Sequence, residues 1–142
     1  MTRLAKQFAI ALIALFAILS CARRPIEPIS GEWKIVSVDG ADSVVNSPFI
    51  LFNPQDSTIY GYSGCNRFFA QIEYNPDDDR AISFTNVGST KMMCPNIEIE
   101  DAIHLAMSRV ASFSYTDSDD AQLLDVDGLL LMTLTRSNTS EQ

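Results

Sequence analysis

The sequence predicts a mainly β domain, a meander of short strands that closes as a barrel or sandwich, with a single amphipathic helix set into it. Three observations predict it. Apolar and polar residues alternate along several short stretches, which is the period of a strand with one buried face. Turn dipeptides such as Asp39-Gly40, Asn53-Pro54 and Asp127-Gly128 punctuate those stretches at short, regular spacing. One segment alone, beginning at Ile99, carries its apolar residues at helical spacing.

The chain opens with an addressing segment. Arg3 and Lys6 precede a charge-free apolar run from Phe8 to Leu19. A transmembrane helix needs about 20 such residues, whereas the apolar part of a signal peptide runs about 7–15. Residues 1–20 are therefore read as a signal peptide. Its end, Ile18-Leu19-Ser20-Cys21, resembles the lipobox of bacterial lipoproteins, in which the cysteine is acylated and becomes the new N-terminus. That resemblance implies palmitate-type chains on Cys21, each buried CH₂ contributing about 0.8 kcal/mol to membrane attachment. It also implies a place in the bacterial cell envelope, on the outer membrane facing the periplasm. An ordinary signal peptide followed by an unrelated cysteine is the alternative.

Of 142 residues, 10 are Lys or Arg and 18 are Asp or Glu; losing Arg3 and Lys6 with the leader leaves 8 basic against 18 acidic side chains, a formal net charge of −10. An acidic chain without a cluster of cations offers nothing to nucleic acid, so no nucleic-acid partner is expected. Export also places the remaining cysteines, Cys65 and Cys94, in an oxidising compartment, where an even pair tends to be bridged.

Residues 21–30 are read as the lipidated N-terminus and tether, in which Pro25 and Pro28 disfavour helix. The domain is placed at residues 31–136. Its first strand runs through Gly31-Glu32-Trp33-Lys34-Ile35, with Trp33 and Ile35 on one face, and closes at Asp39-Gly40. Further strands are read at Phe49–Phe52, Thr58–Tyr60, Phe68–Tyr74 and Ala81–Val87, with a turn over Asn75–Asp79. Ile99, Ala102, Ile103, Ala106, Met107 and Val110 then form the stripe of a helix near residues 97–110. Asn96 is its expected N-cap, and Glu98, Glu100 and Asp101 suit the positive end of the helix dipole. Phe113–Thr116 is a short strand, and Gln122–Asp125 and Leu129–Thr135 pair across Asp127-Gly128. Residues 137–142 are polar and are expected to fray.

The chain is organised around Gly61-Tyr62-Ser63-Gly64-Cys65-Asn66-Arg67-Phe68-Phe69 and its counterpart Thr90-Lys91-Met92-Met93-Cys94-Pro95. Two glycines permit positive φ or close backbone approach. Cys65 and Cys94 stand as a disulfide, as a catalytic thiol with a bystander, or as two metal ligands; the disulfide leads. A zinc site needs two more N or S ligands and only His104 is at hand, so no metal and no cofactor are expected. Ser63 falls one position short of a Gly-x-Ser-x-Gly nucleophile elbow, since Cys65 stands at the last glycine, and it reads as a turn residue. His104 flanks the apolar stripe and reads as a boundary histidine rather than a base. Asn66 and Arg67 suit either turn packing and ion pairing or a functional role. The aspartates at 77–79 and 117–120 lack the spacing of a calcium loop and read as solvated turns.

The run Gly64-Cys65-Asn66-Arg67-Phe68, with Thr90-Lys91-Met92 and Cys94-Pro95 behind it, an acidic-start helix and a Leu-rich terminal hairpin, resembles the META domain of the HslJ-like bacterial lipoproteins over roughly residues 31–136. Ala70 stands where that family carries a glycine, and Lys91 where arginine is commoner. The resemblance implies a small antiparallel β-barrel with one helix, no catalytic residues, and a link to envelope stress. The expected function is that of a membrane-anchored, non-catalytic binding or structural module, its partners the membrane through Cys21 and an envelope protein or small ligand. A hydrolase using Ser63 or Cys65, and a barrel that carries a small ligand, are the alternatives.

Overall fold

The computed structural model describes residues 25–41, 46–95 and 97–137. The signal peptide, Cys21, Asn96 and residues 138–142 lie outside them. The described chain runs β1 (Gly31–Val38), β2 (Phe49–Asn53), β3 (Thr58–Tyr62), β4 (Arg67–Asn75), β5 (Asp78–Ser89), α1 (Ile97–Met107), β6 (Ser112–Tyr115), β7 (Asp120–Leu124) and β8 (Leu130–Arg136). Each strand pairs antiparallel with the next, and β1 pairs with β8, so the sheet closes into an eight-stranded barrel.

Period-two alternation decides which side chains enter the barrel. In β1, Trp33 and Ile35 point inward and Lys34 outward; a bulge at Val36, where the register to β8 slips, then turns Ser37 and Val38 inward together. Asp39 and Gly40 both take positive φ between the paired Val38 and Ala41, the geometry of a two-residue hairpin turn. The interior is filled by Trp33, Ile50, Phe52, Ile59, Phe113, Leu123, Met132 and Leu134, and Ile103, Ala106 and Met107 of α1 pack into the same core. Trp33 donates its indole N–H to the Ser30 carbonyl at 2.9 Å, and the Arg136 guanidinium sits 4.4 Å from its ring centroid.

Several boundaries differ from the sequence reading. The helix ends at Met107 rather than 110, because Arg109 and Val110 bond back to Ala106 and Met107 in a tighter turn that aims the chain at β6; Val110 is buried all the same. The β4–β5 turn is shorter, with Asp78 and Asp79 already in β5. The segment read as the tether, residues 21–30, packs against the domain at its C-terminal end. Ile29 is 0% exposed, Ile26 packs on the core, and the Ile26 N–H and Glu27 carbonyl reach Asp79 and the Tyr115 hydroxyl. At the other terminus Ser137 donates its N–H to Glu32 at 2.9 Å, so fraying does not begin there.

Arg109, past the helix, pairs with Asp125 at 2.9 Å. The Leu129 N–H in the β7–β8 turn, with Arg109 and the Asp127 N–H adding to it, holds the Asp125 carboxyl below its ordinary range against a smaller opposing effect of desolvation. A depressed carboxylate stabilises the fold above its unfolded pKa, and that contribution is lost only as pH falls through the lowered value.

Candidate functional site

The central motif forms the connection from β3 to β4 and the strand entrances beside it. Gly61 occupies an inward position of β3, opposite Ile50 and Phe68. A Cβ there would overlap both the Phe68 ring and the Phe49 carbonyl, so close approach, not a special φ, requires this glycine. Gly64 is the one that needs conformational freedom, at φ 98°. Gly61→Ala is accordingly expected to displace the Phe68 ring and destabilise the domain by about 1–3 kcal/mol, the range for an overpacked core; a melting curve unchanged from the native chain would refute this.

Ser63, buried in the turn, donates both its N–H and its hydroxyl to the Asn66 carbonyl at 2.9 Å, while Tyr62 and Asn46 donate to the Gly64 carbonyl. Cys65 is joined to Cys94 with Cα atoms 6.0 Å apart, a usual span for a disulfide. The bond ties the β3–β4 turn to the segment that leads into α1.

Asn66, 1% exposed, is the centre of the cluster. Its Oδ1 accepts the Met92 N–H and the Thr90 hydroxyl, each at 2.7 Å, and its Nδ2 donates to the Met92 carbonyl at 3.0 Å. The side-chain amide thereby pairs with Met92 as a neighbouring strand would, satisfying a backbone stretch that belongs to no ladder. The same Nδ2 lies 3.0 and 2.9 Å from the two carboxylate oxygens of Glu100, which is 6% exposed and forms no ion pair among the described residues. Thr90 completes the link by exchanging bonds with the Arg67 backbone.

Of the residues singled out in the sequence, the structure thus brings together Ser63, Gly64, Cys65, Asn66, Thr90, Met92 and Cys94. Phe68 packs over Gly61, while the side chains of Arg67, Lys91 and Pro95 are exposed; Arg67 forms no ion pair among the described residues. His104 stands edge-on to Phe68 at 6.0 Å, with Nε2 shut away from water and without a hydrogen-bond partner among the described residues. Among the described residues no group of three or more His, Cys, Asp or Glu is placed to hold a metal ion. Glu100 was missed as a member of the site, since an acid in a first helical turn reads as a solvated complement to the dipole. Its position one turn before His104, on the flank of the buried stripe, was the available signal.

The META domain family model matches residues 27–138 of this chain. The chain belongs to the META domain family. The match begins before β1 and takes in the packed Ile29, in agreement with where this META domain starts to bury side chains. Among solved structures, the barrel is similar to the NMR structure of a protein from Burkholderia xenovorans, with 22% identity, 84% of this chain and 94% of that one covered, and a TM-score of 0.59. It is also similar to the crystal structure of a DUF4847 family protein from Bacteroides vulgatus, with 13% identity, 78% and 95% covered, and a TM-score of 0.54. At these identities the likeness is one of fold. No curated protein matches the chain.

Proposed function

We propose that this META domain is a non-catalytic binding or structural module of the bacterial envelope, held on the outer membrane by acyl chains on Cys21 and serving stress tolerance. The observation that carries the non-catalytic reading is that both candidate nucleophiles of the central motif, and the polar side chain beside them, are engaged internally. The Ser63 hydroxyl donates to a backbone carbonyl, Cys65 is bonded to Cys94, and Asn66 is occupied by Met92 and Glu100. A hydrolase would need one of these groups free and beside a base. The side-chain-filled interior likewise argues against a carrier that holds its ligand inside the barrel.

Anchoring rests on the Leu19-Ser20-Cys21 signal, and the packing of Ile26 and Ile29 gives it a mechanical meaning. Only three residues stand between Cys21 and Pro25, so the lipidated residue lies within about 14 Å of Pro25 at full extension, next to the Ile26 that packs on the core. Cys21→Ser is expected to move the protein from the membrane to the soluble fraction and to abolish fatty-acid labelling. Fractionation like wild type removes the anchor. Esterase, protease and glycosidase substrates should all remain unconverted; turnover that Ser63→Ala abolishes, with folding intact, would establish the hydrolase instead.

A further inference from the structure

We propose that the outer face of β3 and β4 is a binding site for an uncharged saccharide chain, built on the rings of Tyr60 and Phe69 and the carboxamides of Gln71 and Asn86. This deepens the reading of the domain as a binding module and rests on it. Tyr60 and Phe69 are directly opposed in the β3–β4 register and are 52% and 54% exposed. The Phe69 ring lies against Gly88, its partner across β4 and β5, where any side chain would overlap it. The ring is therefore laid along the sheet as a platform. Leu51, opposite Tyr60 on the other side, continues the strip.

The amides are placed by a separate device. Register between β4 and β5 slips beyond Phe69, and Asn86 takes a positive φ of 52° in the resulting bulge. Its Nδ2 then donates to Gln71 Oε1, which fixes the two side chains as a pair beside the rings. With Thr58 and Ala70 these residues line a groove of about 230 Å³. That is below the roughly 300–1,000 Å³ of pockets that enclose a ligand, so the groove suits a ring resting on it.

The chemistry selects the occupant. A pyranose presents C–H faces, which an aromatic face attracts, and hydroxyls at its rim, each both donor and acceptor as a carboxamide is. The groove carries no charged side chain, and the whole chain bears a formal net charge of −8. A polyanion finds no cation lining the groove, the nearest along β4 being Arg67 on the same outer face two residues before Phe69, and it meets the field of a net acidic chain, which a neutral glycan does not.

The test uses the full chain in a sugar-free zwitterionic detergent, followed by amide NMR during titration with cellohexaose and chitohexaose. At least one is expected to shift the amides of Tyr60, Phe69, Gln71 and Asn86, saturating in the millimolar range. Tyr60→Ala with Phe69→Ala should weaken binding by about tenfold or more, while Phe69→Trp retains it and Leu129→Ala, on the distant β7–β8 turn, leaves it unchanged. If the double variant does not fold, Gln71→Ala alone is read and should weaken binding. No shifts with either sugar, shifts that survive these changes, tighter binding of a mannuronate hexamer, or shifts of the same amides with protein concentration alone would each overturn the proposal, the last by assigning the face to a second copy. Sugar failing while Cys21→Ser still releases the protein removes the glycan only; both failing removes the anchored binding module as well.

Discussion

Replacing Cys65 and Cys94 together by serine is expected to lower the melting temperature by more than about 10 °C. The two residues are 29 apart in the chain, and closing a loop of that length restricts the unfolded state by about 3–4 kcal/mol in the chain-entropy model. In a domain of this size each kcal/mol moves the midpoint by about 4–8 °C. The bond spans the β3–β4 turn and an irregular segment, where no ladder substitutes for it. Thermal melts of the native chain with and without reductant, beside the double serine variant, measure the effect. A variant that melts with the oxidised native protein would show that the cysteines act only as small core residues.

Asn66→Ala is expected to destabilise the domain by about 3 kcal/mol or more, through groups left without partners rather than through lost packing. The Met92 N–H, the Met92 carbonyl, the Thr90 hydroxyl and the buried Glu100 carboxylate all lose the same side chain. Leaving the buried Glu100 carboxylate without its partner costs about 1–3 kcal/mol, and losing the bonds to the partly buried Met92 backbone and Thr90 hydroxyl adds about 0.5–1.5 kcal/mol each, of which entering water recovers part. Asn66→Asp is nearly isosteric and separates shape from bonding. It removes the donor and sets a second carboxylate against Glu100, so it should be at least as harmful at neutral pH. Chemical denaturation of both variants decides the matter, and an Asp variant as stable as the native chain would sink this account of the hub.

What was legible in the sequence follows from how local each feature is. The strands and the helix announce themselves by period, since Trp33, Ile35 and the stripe from Ile99 to Met107 each report one face of one element. The Cys65–Cys94 pairing followed from parity and compartment. The role of Glu100 was not legible, because its burial depends on Asn66, a residue 34 positions away, and an acid at a helix start has a sufficient local explanation. Nor was the packing of Ile29, which sits in a proline-bounded stretch without a pattern of its own. The outward alternation of Tyr60 and Phe69 could be read, but the placement of Asn86 beside them depends on a bulge that the β4–β5 register alone reveals.

The ladder between β5 and β6 has a single register pair, Ala81 with Ser112, whereas β1 and β8 share five. In kinetic terms the ring is two locally built meanders, β1–β5 and β6–β8, each made of strands adjacent in sequence and so inexpensive in chain entropy to assemble. The costliest pairing in chain entropy is their union, and it falls to the β1–β8 ladder, the pairing that joins the two ends of the barrel. The thin β5–β6 join, bypassed by α1, adds little pull of its own. Closing the ring therefore rests on the β1–β8 ladder, the strand pairing of longest sequence separation in the barrel and the one whose loop-closure entropy is largest.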